Sequence, residues 1–142
     1  MKTYASLRFQ GTHLNPNEIT EILHEAPTVG YKKGEIYIKS HGHKIHGRTG
    51  LWLLSSEGHV DSDDLIDHLR YLLMVISEPE KMNRLRHLMR DGHIEADVGC
   101  FWYGAHGTSP PVIPPEIRKV FSRIPAYIEP DFYEAKRQDK AS

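Results

Sequence analysis

Three histidines lie close together in one polar segment of the chain: His41, His43 and His46. Imidazoles two residues apart on an extended chain point the same way, and a third could approach through a turn to complete a site for zinc, nickel or copper. The segment contains no cysteine pair and no helical histidine pair, and the neighbouring Lys44 and Arg48 oppose a cation. We therefore expect a solvated hairpin tip without a cofactor, and we keep a metal-binding module as an alternative.

Two carboxylates, Glu95 and Asp97, lie two residues apart in a segment of alternating polarity. On a strand they would share one face at about 6 to 7 Å, a separation at which a general acid and a general base could act on a sugar or another small molecule. A solvent-facing strand shows the same alternation without any catalytic role. An enzyme that uses Glu95 and Asp97 is therefore a second alternative.

The single cysteine, Cys100, stands between Val98 and Trp102 on the apolar side of the same segment. A nucleophilic thiol needs exposure and a nearby base, so this position predicts a buried and unreactive thiol. The following loop, 104–109, contains glycines but lacks the lysine of a phosphate-binding loop. The sequence thus contains no complete catalytic motif.

Aromatic and arginine residues provide the remaining candidate site: Arg8, Arg48, Trp52 and Tyr103. Strands that carry aromatic residues on both faces either lie between two layers or present one face to a partner. We expect Trp52 to pack at least partly against helices. Arg8, Lys33 and Arg48 could line a patch near this sheet face that binds an acidic protein ligand or a carboxylate, and solvated charge without a ligand is the alternative.

The elements that position these residues can be predicted from periodicity and capping signals. Strands are predicted over residues 4–9, 34–39, 51–54, 93–103 and 126–133, with 40–50 as a hairpin connection. Helices are predicted to begin at Pro16, Asp61, Pro79 and Pro115. This order indicates an α+β fold with a ferredoxin-like β-α-β-β-α-β core, extended by a further helix and strand, with the helices on one face of a mixed or antiparallel sheet.

Length and composition bound the class of protein. The 142 residues, 39% hydrophobic and 26% charged, are typical of one globular domain, which we place at 1–133 with a polar tail at 134–142. The 18 basic and 19 acidic residues nearly cancel, which disfavours a nucleic-acid partner. The sequence has no apolar run long enough for a membrane span or a signal peptide, and one cysteine cannot form an internal disulfide, so we expect a cytoplasmic protein.

Four segments together resemble a known family: the opening strand 4–9, the capped helix start 14–19, Gly50-Leu51-Trp52, and Asp131-Phe132-Tyr133. The family is the bacterial domain of unknown function DUF4279, and the resemblance spans residues 3–133. It implies a small bacterial protein, often standing alone, and supplies no activity. We expect a non-catalytic module that binds another protein, and the type of family suggests an immunity protein that neutralises a cognate toxin.

Overall fold

The computed structural model describes residues 2–39 and 41–137. Its strands are β1 (Lys2–Gly11), β2 (Val29–Tyr31), β3 (Ile36–Ile38), β4 (Lys44–His46), β5 (Gly50–Ser55), β6 (Glu95–Gly104) and β7 (Ala126–Glu134). Its helices are α1 (Pro16–Leu23), α2 (Leu65–Ile76), α3 (Pro79–Gly92) and α4 (Pro115–Ser122). The predicted tail starts at Glu134, which is the last residue of β7, and residues 138–142 lie outside the described residues.

Five strands form one mixed sheet in the order β2-β5-β1-β6-β7. Neighbours from β2 to β6 are antiparallel, and β7 runs parallel to β6. The prediction of an α+β fold is therefore confirmed. The ferredoxin-like arrangement stays a prediction, since two consecutive helices, α2 and α3, connect β5 to β6 where that pattern has one.

Alternation along the central strand separates a buried face of the sheet from an exposed one. Ala5, Leu7 and Phe9 of β1 are fully buried, whereas Ser6 and Arg8 are partly exposed. The buried face packs on the helices, with α1 against β5, α2 against β1 and β6, and α4 against β7. We call the opposite side the open face. It is formed by Tyr4, Ser6, Arg8 and Gln10 of β1, Leu51, Leu53 and Ser55 of β5, Glu95, Asp97, Gly99, Phe101 and Tyr103 of β6, and Tyr127, Glu129, Asp131 and Tyr133 of β7.

Capping side chains set the helix starts. The predicted cap of α1 is confirmed, because Asn15 Oδ1 accepts a hydrogen bond from the Asn17 backbone N–H at 3.1 Å. The start predicted at Asp61 is wrong, because α2 begins at Leu65 and Asp64 caps it by accepting from the Ile66 backbone N–H at 2.9 Å. Several acidic residues precede this helix, and the sequence alone did not identify which of them caps it.

The strand predicted over 34–39 lies in a different sheet from the one expected. The strand that pairs with β5 is β2, whereas β3 pairs with β4 in a separate two-stranded hairpin. The chain leaves the main sheet in a turn at Gly34, whose φ of 85° is a left-handed conformation that glycine adopts readily. The predicted connection 40–50 therefore contains a strand of its own, and the hairpin projects beside the open face.

Candidate functional site

Three aromatic rings from three strands contact one another on the open face. Tyr4 stacks on Phe101 with ring centroids 4.9 Å apart, and the Tyr133 ring lies 6.1 Å from Phe101. The strand register causes this contact, because Tyr4 pairs directly with Phe101 across β1 and β6. Tyr103 continues the row and is 45% exposed. The open face therefore carries a band of aromatic surface.

An ion pair lies beside this aromatic band, near the middle of the sheet. Arg8 and Asp97 are directly opposite in β1 and β6, and Asp97 Oδ2 accepts from Arg8 Nε at 3.0 Å and Nη2 at 2.6 Å. The hydrogen bond to Asp97, aided by the charges of Asp97 and Glu129, raises the pKa of the Arg8 guanidinium, although burial acts in the opposite direction. Asp97 is thus held as the partner of a cation.

A depression separates the ion pair from the aromatic band. Gly99 of β6 lies between Ser6 of β1 and Glu129 of β7, and it contributes no side chain to the open face. The resulting cavity of ≈ 350 Å³ is also lined by Arg8, Asp97, Leu53, Pro130 and Asp131. A hydrogen bond with Asp131, together with the charge of this carboxylate, raises the pKa of the Tyr133 hydroxyl. Carboxylates therefore border the depression on its β7 side.

The β3–β4 hairpin forms one wall of a larger groove on the other half of the open face. This groove has a volume of ≈ 940 Å³, and its floor includes Tyr4, Leu51 and Leu53. Tyr37 of the hairpin contacts Tyr31 at the end of β2, with ring centroids 5.8 Å apart. The groove therefore joins apolar sheet residues to a polar hairpin.

The three histidines predicted as metal ligands belong to this hairpin, but the structure does not bring them together as a ligand set. Within residues 2–39 and 41–137, no group of three or more His, Cys, Asp or Glu side chains could hold a metal ion. His41 lines the groove, and His46 lies in β4 opposite Ile36. His43 and His46 are three positions apart, so an extended chain turns them to opposite sides.

The predicted binding residues occupy three different environments. Trp52 is fully buried on the helix side, where its Nε1 donates to Thr20 Oγ1 at 3.0 Å, so a direct contact with a partner is incompatible with its position. Arg48 is exposed in the loop before β5, whereas Arg8 lies opposite Leu53, about 10 Å along β5 from its first residue. Tyr103 and Arg8 lie on the open face, and they alone among the four predicted binding residues share it.

The structure brings together one pair of the residues considered for catalysis and separates the others. Glu95 and Asp97 share the open face, as predicted, and together line a cavity of ≈ 380 Å³, but Asp97 is paired with Arg8. Cys100 is fully buried, and this burial raises the pKa of its thiol to about 12. His106 is exposed and lies 4.0 Å from Glu134, on a loop whose Gly107 backbone N–H also donates to that carboxylate. None of these groups forms a nucleophile and base pair with another.

His68 of α2 is a buried histidine that joins the end of β5 to the segment before α2 through hydrogen bonds. The sequence analysis did not single it out. His68 is 2% exposed, and its Nε2 lies 2.7 Å from the Ser62 carbonyl oxygen. Because a carbonyl only accepts, Nε2 carries the proton and Nδ1 accepts from the Ser56 hydroxyl at 2.7 Å. Ser56 Oγ in turn accepts from the Ala5 backbone N–H. Helical spacing from Leu65 would have placed His68 on the buried side of α2.

The fold and the site define an α+β protein with one face of its sheet open, aromatic and charged. The family model described as domain of unknown function (DUF4279) matches residues 1–135, and the chain belongs to this family. No curated protein and no solved structure matches the chain. Among the described residues, no helix is both long enough and apolar enough to cross a membrane.

Proposed function

We propose that this chain is a non-catalytic module that binds another protein through its open face. The observation that carries the proposal is the aromatic band of Tyr4, Phe101 and Tyr133, with the exposed Tyr103 beside it. Tyrosine and arginine are enriched at the centres of protein interfaces, because they bury a large apolar area and still form hydrogen bonds. A face with both residue types is suited to a protein partner.

The edges of the sheet favour contact with the face over addition of a strand. The edge strand β7 contains Pro130, which lacks a backbone N–H for pairing with an incoming strand. The other edge strand, β2, has three residues and continues towards the hairpin. A partner therefore has few backbone groups to pair with, and its contacts are made with side chains of the open face.

The ion pair with Arg8 argues against Asp97 as a general base. A general base must be free to take up a proton, whereas Asp97 accepts two hydrogen bonds from Arg8. The buried Cys100 thiol is protonated at neutral pH, because its pKa is about 12. These positions support a binding surface more strongly than an active site.

We further propose that the partner is a toxin and that the chain is an immunity protein of the bacterial cytoplasm. The support is an open face, aromatic and charged, on a small domain whose family has no assigned activity. A bound immunity protein acts by covering a surface of its toxin, and this requires no chemistry of its own.

We also propose that β1, β2, β5 and β6 with their connecting helices are a ferredoxin-like core, within one domain over 1–133. The support is the strand order β2-β5-β1-β6 with antiparallel neighbours. In this description α4 and β7 are the extension, and the β3–β4 hairpin is an insertion between β2 and β5.

The test is to identify a partner and measure its affinity for matched variants. Protein captured on the immobilised chain from a lysate of the source organism is identified, produced separately and titrated by calorimetry. We expect Tyr103→Ala to weaken binding at least tenfold, as truncation of a central interface tyrosine does. Met74→Ala is the matched control, because Met74 is 69% exposed on α2, away from the open face.

Two results would contradict the proposed function. One is a partner whose affinity is unchanged in Tyr103→Ala while Met74→Ala weakens it. The other is turnover of a hydrolase substrate that disappears in Glu95→Gln, with no partner recovered. Arg8→Glu is a poorer probe than Tyr103→Ala, because it would leave Asp97 facing a second negative charge and disturb the sheet itself.

A further inference from the structure

Gly99 occupies a position where the fold does not require a glycine. Glycine weakens the interior of a strand, and β6 lies inside the sheet between β1 and β7. The backbone at Gly99 is not left-handed, since the glycines with positive φ are elsewhere in the described chain. A Cβ added there would meet one atom within 4 Å, the Ser6 Oγ at 3.1 Å, which belongs to a small side chain. The backbone conformation therefore does not require glycine, and the one tight approach, 3.1 Å to Ser6 Oγ, can be relieved by rotation of that small side chain.

The missing side chain leaves the depression described above, and negative charge dominates its border. Asp97, Glu129 and Asp131 contribute three carboxylates, whereas Arg8 contributes one guanidinium and is already bonded to Asp97. Glu129 and Asp131 are both exposed on β7. Two negative charges therefore remain without a cation in this cavity.

An aromatic surface completes the other side of the same depression. A smaller cavity of ≈ 120 Å³ continues from Gly99 and is lined by Tyr4, Phe101 and Asp131. The guanidinium of arginine is planar, lies flat on aromatic rings and donates two parallel hydrogen bonds to a carboxylate. A lysine ammonium satisfies the charge but not the flat, forked geometry.

We propose that the depression over Gly99 receives an arginine side chain of the partner protein, with its guanidinium between the carboxylates of β7 and the Tyr4–Phe101 stack. This inference rests on the proposed function, because it specifies the chemistry of the partner at the same face. It assigns Glu129 and Asp131 to recognition and Gly99 to making space. It reverses the partner charge expected from Arg8, because Asp97 already occupies that guanidinium, and it predicts that an acidic segment is excluded from this part of the open face.

The experiment uses a small probe in place of the partner. The peptide acetyl-Gly-Arg-Gly-amide is titrated into the ¹⁵N-labelled full chain and followed by two-dimensional NMR. We expect saturable shifts confined to the amides of residues 4–8 and 97–101 and of Glu129 and Asp131. The analogue with citrulline, a neutral isostere of arginine, and the analogue with glutamate should produce no saturable shifts there.

Matched variants test the assigned roles. Glu129→Gln and Asp131→Asn should each weaken the arginine peptide about three- to fivefold, the effect of losing an exposed ion pair. Glu116→Gln, a change of the same kind on α4, should have no effect. Gly99→Val should abolish binding, and Gly99→Ala combined with Ser6→Ala, which removes the 3.1 Å approach to Ser6 Oγ, serves the same purpose if the valine variant does not fold.

The outcomes separate this inference from the proposed function. Shifts spread over both faces, equal binding of the citrulline peptide, or unchanged affinity in Glu129→Gln and Asp131→Asn would overturn the arginine site. If the arginine site fails while the identified partner still depends on Tyr103, the binding module stands with a different partner chemistry. If the partner is indifferent to Tyr103 as well, both proposals fail.

Discussion

Replacement of Trp52 by alanine tests how the helix layer is held on the sheet. Trp52 is 0% exposed, meets Phe9 edge-on with ring centroids 5.7 Å apart, and donates its indole N–H to Thr20 of α1 at 3.0 Å. Truncation of a fully buried tryptophan costs about 3 to 5 kcal/mol, because the cavity left behind collapses only in part. The lost hydrogen bond adds about 1 kcal/mol at most, since Thr20 is half-buried and water can replace the indole. The total is a large share of the stability of an ordinary domain, about 5 to 15 kcal/mol.

The assay is urea unfolding followed by circular dichroism and by the fluorescence of Trp102, which remains in the variant. Thr20→Val is the companion variant, because it keeps the shape and leaves the buried indole N–H unpaired at a cost of about 1 to 2 kcal/mol. If Trp52→Ala lowers the free energy of unfolding by less than about 1 kcal/mol, the position of this ring in the core is refuted. A cost for Thr20→Val equal to that of Trp52→Ala would refute the argument that cavity formation dominates.

Three further predictions concern Gly50, Cys100 and the ion pair between Arg8 and Asp97. Gly50→Ala should lower the melting temperature by several degrees, because its Cβ would lie 2.5 Å from the Leu14 carbonyl oxygen, and an unchanged melting curve would contradict this. Burial raises the pKa of Cys100 to about 12, so its contribution to stability should be complete below about pH 8.5 and be lost as the pH rises towards 12. Urea unfolding at several alkaline pH values should show this loss in the wild type and a smaller one in Cys100→Ala. A double-mutant cycle of Arg8→Met and Asp97→Asn should give a coupling of about 1 kcal/mol, and additive effects would show that the pair adds nothing.

The sequence was sufficient for elements with a strong local signal. Asn15 and Pro16 mark the start of α1, and the alternation of β6 separates its two faces, because capping and strand periodicity depend on neighbouring residues only. It was insufficient for β2, which has three residues and pairs with β5 through Val29 opposite Leu53. Such a short strand is defined by the partner it pairs with, and the chain on either side of Gly34 contains similar strand-forming residues.

The candidate site could be predicted in part for the same reason. Alternation places Asp97, Gly99, Phe101 and Tyr103 on one side of β6. The ion pair with Arg8 depends on the register of two strands whose paired residues are 89 positions apart, and no local pattern contains that register. The burial of Trp52 was predicted in part, and its inclusion among the contact residues was incompatible with the complete burial that the helices produce.

The polar groups on the open face indicate which kind of complex the proposed function requires. The aromatic residues that are exposed there, Tyr103, Tyr127 and Tyr133, all carry hydroxyl groups that water can solvate when no partner is present. Phe101 has no hydroxyl, and the rings of Tyr4 and Tyr133 partly cover it. Interfaces that form once and persist resemble the apolar core of a domain, whereas surfaces that must also exist in water keep polar groups at the rim. Because charged and hydroxyl groups surround the aromatic band on this face, the complex that we propose would be one between two separately folded proteins.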